Sequence, residues 1–529
     1  MEKYLYGHTG FVLEKLILRK HPVFGDDFVI NFIENDDFKR ANGVINSPYS
    51  TLLIGPNGTG KSLILKSISD IFLDLDSLKF KKKKKHNDNY FYIKYLWGGE
   101  EVEVTNFDEE TNFDRKRKKF TYTLFINDED RELEDIPLPS AIIASSLLLT
   151  DRFTVYRNAP EFYKYLGVRS LTSPTTARTR NYVKRTVDLV VNSLAEFNTE
   201  IKYKIKDVLH FLGFEETFII QYTPKYRDQF FTGNLTTNRF TELFRNFSDE
   251  QKGFSKRENM SFVPFGVSYF DNNILNNKEG IAGDLVEFLN EIVNSGKLKN
   301  KERSKTMIFN YNILNDELSL EKYQLLNHLQ ALDLISYPTI RLTKSSEEVN
   351  LEDTSSGEYH IISNLIGIYA SISQNSIVLL DEPEISLHPN WQMKYMTFLK
   401  KIFKDYSSCH FIITSHSHFF ASDLDGNTSK IIGLERENKN VGIVDLPKNI
   451  NTFGWSAEEI LLKIFDTSTT RNFYIAERIG QILKKAAKGS KADIYEYKDE
   501  LMGYLVNLNP EDPLHYTISK IAENLKWQD

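Results

Sequence analysis

Polar and apolar positions alternate through the first 50 residues, where Phe11-Val12-Leu13, Leu16-Ile17-Leu18 and Phe28-Val29-Ile30 predict strands. These lead into a short apolar run, Thr51-Leu52-Leu53-Ile54, which predicts a buried strand, and a helix is predicted from Lys61 to about Phe72. Alternation returns over residues 90–126, in Tyr90-Phe91-Tyr92-Ile93 and Phe120-Thr121-Tyr122-Thr123-Leu124-Phe125, as in hairpin strands. A further core strand is expected through Ala141-Ile142-Ile143-Ala144-Ser145-Ser146. From about Asn181 the period lengthens. Val183, Val187, Leu189, Val190, Leu194 and Phe197 recur at helical spacing, as do Ile205, Val208, Leu209 and Leu212. Residues 285–293 and 317–336 behave likewise, so 175–335 reads as a mostly helical insertion with irregular segments near 222–280. No heptad pattern is sustained, which argues against a long coiled coil. Residues 451–529 predict two or three amphipathic helices, including Ile479 to Leu483 and the Asp512-Pro513-Leu514 segment.

At 529 residues the chain is long enough for about three or four domain-sized units. A hydrophobic content of 41% and a charged content of 26% suit a globular protein with a real core. The net charge of −7 gives no global basic field for nucleic acid. The single Cys409 rules out an intrachain disulfide framework and a Cys-rich zinc site. It opens the run Cys409-His410-Phe411-Ile412-Ile413-Thr414, where a small core residue is expected. Met1-Glu2-Lys3-Tyr4 lacks a signal pattern, and no stretch approaches the ~18 apolar residues of a membrane span. A soluble, cytoplasmic protein with no membrane contact is the expectation. The block Lys79-Phe80-Lys81-Lys82-Lys83-Lys84-Lys85-His86 predicts an exposed loop, with contact to nucleic acid or another anionic partner left open.

Chemistry enters at residues 55–62, Gly-Pro-Asn-Gly-Thr-Gly-Lys-Ser, placed where a buried strand hands over to a helix. Glycines let consecutive N–H groups curl around phosphates, and the helix adds its positive N-terminal end. Gly55, Pro56, Asn57, Gly58, Thr59, Gly60, Lys61 and Ser62 therefore form the expected ATP cradle. Lys61 would reach the β- and γ-phosphates, and the Ser62 hydroxyl would ligate Mg²⁺. Farther on, Ile377-Val378-Leu379-Leu380-Asp381-Glu382 is an apolar strand ending in two acids. Asp381 is the expected second metal residue, and Glu382 the expected general base for an attacking water.

Three segments resemble ABC-type ATPases. Thr354-Ser355-Ser356-Gly357-Glu358 resembles their signature motif, with Ser356 in place of the usual first glycine. The match implies that Ser355 and Gly357 cap a helix and hold the γ-phosphate of ATP bound on another subunit. Phe411-Ile412-Ile413-Thr414-Ser415-His416-Ser417 resembles a switch strand, which implies that His416 contacts the γ-phosphate and the attacking water. The run from Asp381-Glu382-Pro383-Glu384 to Leu387-His388-Pro389-Asn390-Trp391-Gln392 resembles the RecF, OLD-nuclease and SMC-like group, with Ser386 to Pro389 as the D-loop.

The resemblance covers roughly 1–170 and 336–450. It implies an α/β fold: a two-lobed ABC-type P-loop ATPase head with a large helical insertion and a small helical C-terminal region. The corresponding division is 1–174 for lobe I, 175–335 for the insertion, 336–450 for lobe II and 451–529 for the C-terminal region. It also implies dimers or larger homo-oligomers, joined head to tail around two ATP molecules. One element departs: no glutamine lies between Ser62 and Gln221 to serve as the Mg²⁺ sensor, and Ser145, Ser146 or Asp151 takes its place.

No nuclease motif is visible. Asp423-Leu424-Asp425 and Asp74-Leu75-Asp76 read as turns or caps. Tyr165-Leu166-Gly167-Val168-Arg169, Leu332-Asp333-Leu334-Ile335-Ser336, Ser356-Gly357-Glu358-Tyr359-His360 and Phe453-Gly454-Trp455-Ser456-Ala457-Glu458-Glu459-Ile460-Leu461 resemble the PtuA-type ATPase subunits of Septu and retron-associated anti-phage systems. That likeness implies a Mg-dependent ATPase subunit controlling a small HNH nuclease. The alternative is a RecF-like maintenance ATPase acting directly on DNA, for which Arg178, Arg180, Lys184 and Arg185 form a small basic stripe, explained equally by a solvated helix face.

Overall fold

The computed structural model describes residues 10–33, 47–82, 89–107, 122–148, 150–156, 159–169, 177–243, 269–275, 280–301, 306–422, 424, 428–437, 440–444, 459–460, 477–478, 480–482, 484, 497–507 and 513–524. Lys83 to His86, Asp423, Asp425, Phe453 to Glu458 and Asp512 lie outside them.

The sheet that carries the chemistry is built from short apolar runs. β3 (Tyr49–Ile54), β15 (Ile377–Asp381), β16 (His410–Ser415) and β8 (Ile142–Ser146) are buried along their whole length, as strands covered on both faces must be. They pair in parallel in the order β3-β16-β15-β8. β9 (Tyr163–Tyr165) extends one edge, and β17 (Ser429–Glu437) with antiparallel β18 (Asn440–Val444) extends the other. The register aligns Ser146, Asp381, Thr414 and Leu53 across four strands, so their carboxyl ends open on one edge. Cys409 is buried just before β16, as its apolar surroundings predict.

The alternating segments form an antiparallel sheet. β1 (Phe11–His21), β2 (Gly25–Asn31), β4 (Tyr90–Trp97), β5 (Glu100–Thr105), β6 (Thr123–Ile126) and β7 (Glu129–Arg131) pair in the order β2-β1-β4-β5-β6-β7. Helix α1 (Lys61–Lys79), longer than its sequence signal, packs its apolar residues into the core shared with this sheet. Ile64, Leu65, Ile68, Ile71 and Phe72 are fully buried, and Phe72 meets Phe11 and Tyr95 edge-on at 5.7 and 5.4 Å.

The stretch 175–335 holds short strands beside its helices. Helices α2 (Ala177–Phe211), α3 (Ile281–Asn294) and α4 (Leu320–Ala331) lie there. So do β10 (Ile219–Tyr222), β11 (Lys299–Asn300) and β12 (Met307–Asn312). With β13 (Thr339–Lys344) and β14 (Glu347–Asn350) they make a sheet in the order β11-β12-β10-β13-β14. Each strand is too short to show a period of its own, and the partners of β10 are distant in sequence. Two members of the basic stripe are engaged within the chain. Lys184 Nζ donates to Asp188 and Asn327, and Arg185 donates to the carbonyls of Tyr165 and Gly167.

Residues 455–529 form a separate compact unit. In it α7 (Lys498–Asn507) and α8 (Pro513–Asn524) bury Leu501, Ile518 and Ala522 together. Among the described residues no helix is long and apolar enough to cross a membrane.

One buried acid makes this fold sensitive to pH. Glu14 lies at a bulge in β1, where burial pushes its carboxyl up to about 7 despite Lys94 4.0 Å away. The native state thus keeps a proton that the unfolded chain releases near pH 4.5. Stability from this group is full below that pH and is lost as pH rises towards 7. Replacing Glu14 by Gln should remove that loss. Urea denaturation should show the variant gaining about 2–3 kcal/mol on wild type between acid and mildly alkaline pH.

Candidate functional site

The P-loop follows β3 and enters α1 through Gly60, whose φ of +83° a side chain would resist. A Cβ there would also lie 2.6 Å from the ring of Phe24, so only glycine fits. Lys61 Nζ turns back to donate to the carbonyls of Gly55 (2.7 Å) and Pro56 (3.1 Å). Burial lowers its ammonium to about 8, opposed by the nearby Glu382, Glu384 and Asp381. Thr59 Oγ1 donates to the Pro56 carbonyl at 2.9 Å and stiffens the loop.

Asp381, at the end of β15, is 1% exposed and accepts two hydroxyls on one oxygen. Ser62 Oγ donates to Oδ1 at 2.8 Å, and Thr414 Oγ1 donates to the same atom at 2.7 Å. Its Oδ2 is buried without a hydrogen-bond partner among the described residues. Burial raises this carboxyl, with the two hydroxyls opposing. The Ser62 hydroxyl and the Asp381 carboxylate, with one carboxylate oxygen unsatisfied, make a donor set suited to a hard divalent cation.

Glu382 follows in the left-handed region at φ +50°, an uncommon conformation for a non-glycine residue. Its N–H is held by the carbonyl and the hydroxyl of Thr414, both at 3.1 Å. Its Oε1 lies 3.2 Å from His416 Nε2, and this hydrogen bond holds the Glu382 carboxyl below its ordinary range. Glu382 is therefore ionised and available to take a proton.

Glu384 fixes the histidine from behind. Its Oε1 accepts from Ser415 Oγ (2.7 Å) and the His416 N–H (2.6 Å). Burial raises its carboxyl. Gln392 adds a second tie, accepting from Ser417 Oγ at 2.6 Å and donating to the Leu387 carbonyl at 2.9 Å. Both residues stand inside the Asp381-to-Gln392 run, yet nothing in the run reveals these roles.

A cavity of about 510 Å³ opens on this edge. Lys61, Ser62, Glu382 and His416 line it with Asn57, Gly58, Gly60, Leu63, the His21-Pro22-Val23 turn, Asn89 and Arg152. Of the expected residues, Asn57, Gly58, Gly60, Lys61, Ser62, Glu382 and His416 line this cavity, while Gly55, Pro56, Thr59 and Asp381 do not; the turn and Arg152 carried no sequence signal.

Ser355 and Gly357 do not line this cavity. They begin α5 (Ser356–Tyr369), where Ser355 and Glu358 form a reciprocal capping box. Gly357 lies against the D-loop: a Cβ there would meet the Ser386 carbonyl oxygen at 2.5 Å. Helix α6 (Pro389–Ile402) then starts from His388.

The three candidates for the missing glutamine are all engaged. Ser145 Oγ donates to Asn364 at 2.8 Å, and Ser146 Oγ accepts from the Leu148 N–H at 3.2 Å. Asp151 binds Arg169 Nε and Nη2 at 2.8 and 2.7 Å and accepts from Tyr165 Oη at 2.7 Å.

Residues 25–421 match the model of the family described as AAA ATPase domain. The chain is 30% identical over 141 residues to the Septu protein PtuA of Bacillus thuringiensis, a match covering 26% of this chain and 33% of that protein. It is 23% identical over 473 residues to the retron Vc95 probable ATPase of Vibrio cholerae serotype O1 biovar El Tor, covering 86% and 82% respectively. The chain thus spans only a third of the Septu relative but four fifths of the retron relative. Among solved structures, it is similar to the SMC head domain from Thermotoga maritima, with a TM-score of 0.34 and 14% identity over 82% of this chain and 99% of that one. The Smc head domain with an extended coiled coil from Pyrococcus furiosus gives 0.32 and 13%, over 82% and 96%.

The contact between Gly357 and the D-loop is open to direct measurement. Gly357→Ala should displace the Ser386 carbonyl and cost about 1–3 kcal/mol in chemical denaturation. Ser356→Ala, at an exposed neighbouring position, should stay within about 0.5 kcal/mol of wild type.

Proposed function

The chain belongs to the AAA ATPase domain family, and from that premise we propose a Mg-dependent ATPase subunit of an anti-phage system that dimerises around ATP and controls a partner nuclease. The observation that carries the catalytic part is the convergence of Lys61, Ser62, Glu382 and His416 on one cavity, with Asp381 hydrogen-bonded to Ser62 behind it. Lys61 binds the β- and γ-phosphates, and the P-loop N–H groups with the α1 N-terminus cradle the rest. Ser62 and Asp381 would hold Mg²⁺, which neutralises phosphate charge when bound. Glu382 takes the proton of the attacking water as the bond to the γ-phosphorus forms and ADP leaves. His416 orients that water and the terminal phosphate.

Ser355 and Gly357 sit at a helix N-terminus outside the chain's own cavity. That arrangement suits a group offered to ATP on a second copy of the chain, joined head to tail as a dimer or larger oligomer. The likeness to the Septu protein and the retron ATPase supports a defence role. A small HNH-type nuclease is the partner we assign, and a cytoplasmic location follows from that role. Of the four residues in the basic stripe, Lys184 and Arg185 bind within the chain, which favours this reading over direct action on DNA.

Two variants test this reading. Glu382→Gln should bind ATP within about threefold of wild type, lose at least about 100-fold in turnover, and accumulate as an ATP-bound dimer in size-exclusion chromatography. Lys61→Ala should weaken ATP binding itself by at least about tenfold. Wild-type turnover in Glu382→Gln would remove the assigned base.

A further inference from the structure

Arg152 lines the cavity beside the P-loop, and among the described residues nothing pairs with its charge. It is exposed between two buried neighbours, Asp151 and Phe153, which are 5% and 2% exposed. Both flanks are pinned. Asp151 is gripped by Arg169 and Tyr165 and also accepts the Phe153 N–H at 3.0 Å. Thr154 Oγ1 donates to Asp70 of α1 at 3.1 Å. The segment is thereby held along the helix whose first residues are Lys61 and Ser62, and the Arg152 side chain lines the same cavity as those two. Among the described residues no carboxylate pairs with it.

The charge of the ligand explains what such an arginine does. A triphosphate carries more negative charge than one lysine and one divalent cation offset, and Asp381 and Glu382 add to the surplus. A guanidinium offers paired N–H donors that match two phosphate oxygens, and it stays charged at any relevant pH. We propose that Arg152 is a second phosphate-binding cation for the nucleotide held by its own chain. This rests on the nucleotide reading of the cavity and adds a ligand that the P-loop motif does not supply. Asp151, buried and paired with Arg169, serves as the positioning residue that aims it.

The test is equilibrium binding of MgATP by the full chain, read by calorimetry for wild type, R152A, R152Q, R152K and K61A. R152A and R152Q should each weaken binding about 10- to 100-fold, with R152K recovering part of the loss. The nucleotide-free melting temperature should stay within about 2 °C of wild type for all three, because the side chain is exposed and pairs with no carboxylate among the described residues. If K61A loses binding while R152A and R152Q match wild type, the Arg152 assignment is overturned and the cavity reading stands. If wild type and K61A bind MgATP alike, the cavity reading itself fails and Arg152 goes with it. A fall in melting temperature of several degrees without loss of affinity would make Arg152 structural, against the proposal.

Discussion

Two hydroxyls meet on one oxygen of Asp381, and the catalytic edge is organised around that meeting. Ser62 comes from 319 residues away and Thr414 from 33, so the contact exists only because β3, β16 and β15 lie side by side in one register. A buried carboxylate is costly to hold, and Oδ2 remains unpaired among the described residues. The wholly buried strands around it, rich in Leu, Ile, Val and Phe, provide the driving force that offsets such a group. Asp381 is therefore placed for what it can bind, at some expense to stability.

The next residue shows a second consequence of the same geometry. Successive side chains on a strand point to opposite faces, so Asp381 and Glu382 could not both serve one site in extended backbone. The left-handed turn at Glu382 bends the chain so that its carboxylate joins the cavity beside Lys61 and His416. Thr414 holds the strained backbone with its carbonyl and its hydroxyl while that hydroxyl also reaches Asp381. One threonine thus sets the positions of two acids, and Glu384 locks the strand that carries it.

How far the sequence revealed this depended on length and locality. β3, β15 and β16 are short runs bounded by chemically distinctive residues, and they were legible as strands. Alternation identified β1, β2, β4, β5 and β6. β10 and β12 escaped because four to six residues inside a region of helical period give no independent signal, and they pair across about 90 residues. Arg152 escaped for a different reason: its importance comes from Arg169 and Tyr165 pinning Asp151, a relation no local pattern contains. Glu384 and Gln392 were visible as letters of a motif, while their partners Ser415 and Ser417 had to be seen in space.

Contacts run from the site to α2. Gly357 leaves no room for a side chain against the Ser386 carbonyl, so the start of α5 packs directly on the D-loop before α6. Helix α2 is fastened to both of those helices. Ser193 Oγ donates to the Ala370 carbonyl at 2.7 Å, just past α5, and Tyr369 Oη donates to Glu200 at 2.7 Å. Lys204 Nζ donates to the Ile402 carbonyl at 3.0 Å, and Phe211 stacks on Phe398 of α6. At its other end Arg185 holds the Gly167 carbonyl, two residues before the Arg169 that pins Asp151. A packed interior does not deform smoothly, so a shift of α5 and α6 must carry α2 with them or open a gap. The helix that begins the insertion is in this way tied to both sides of the nucleotide edge, and its position depends on theirs.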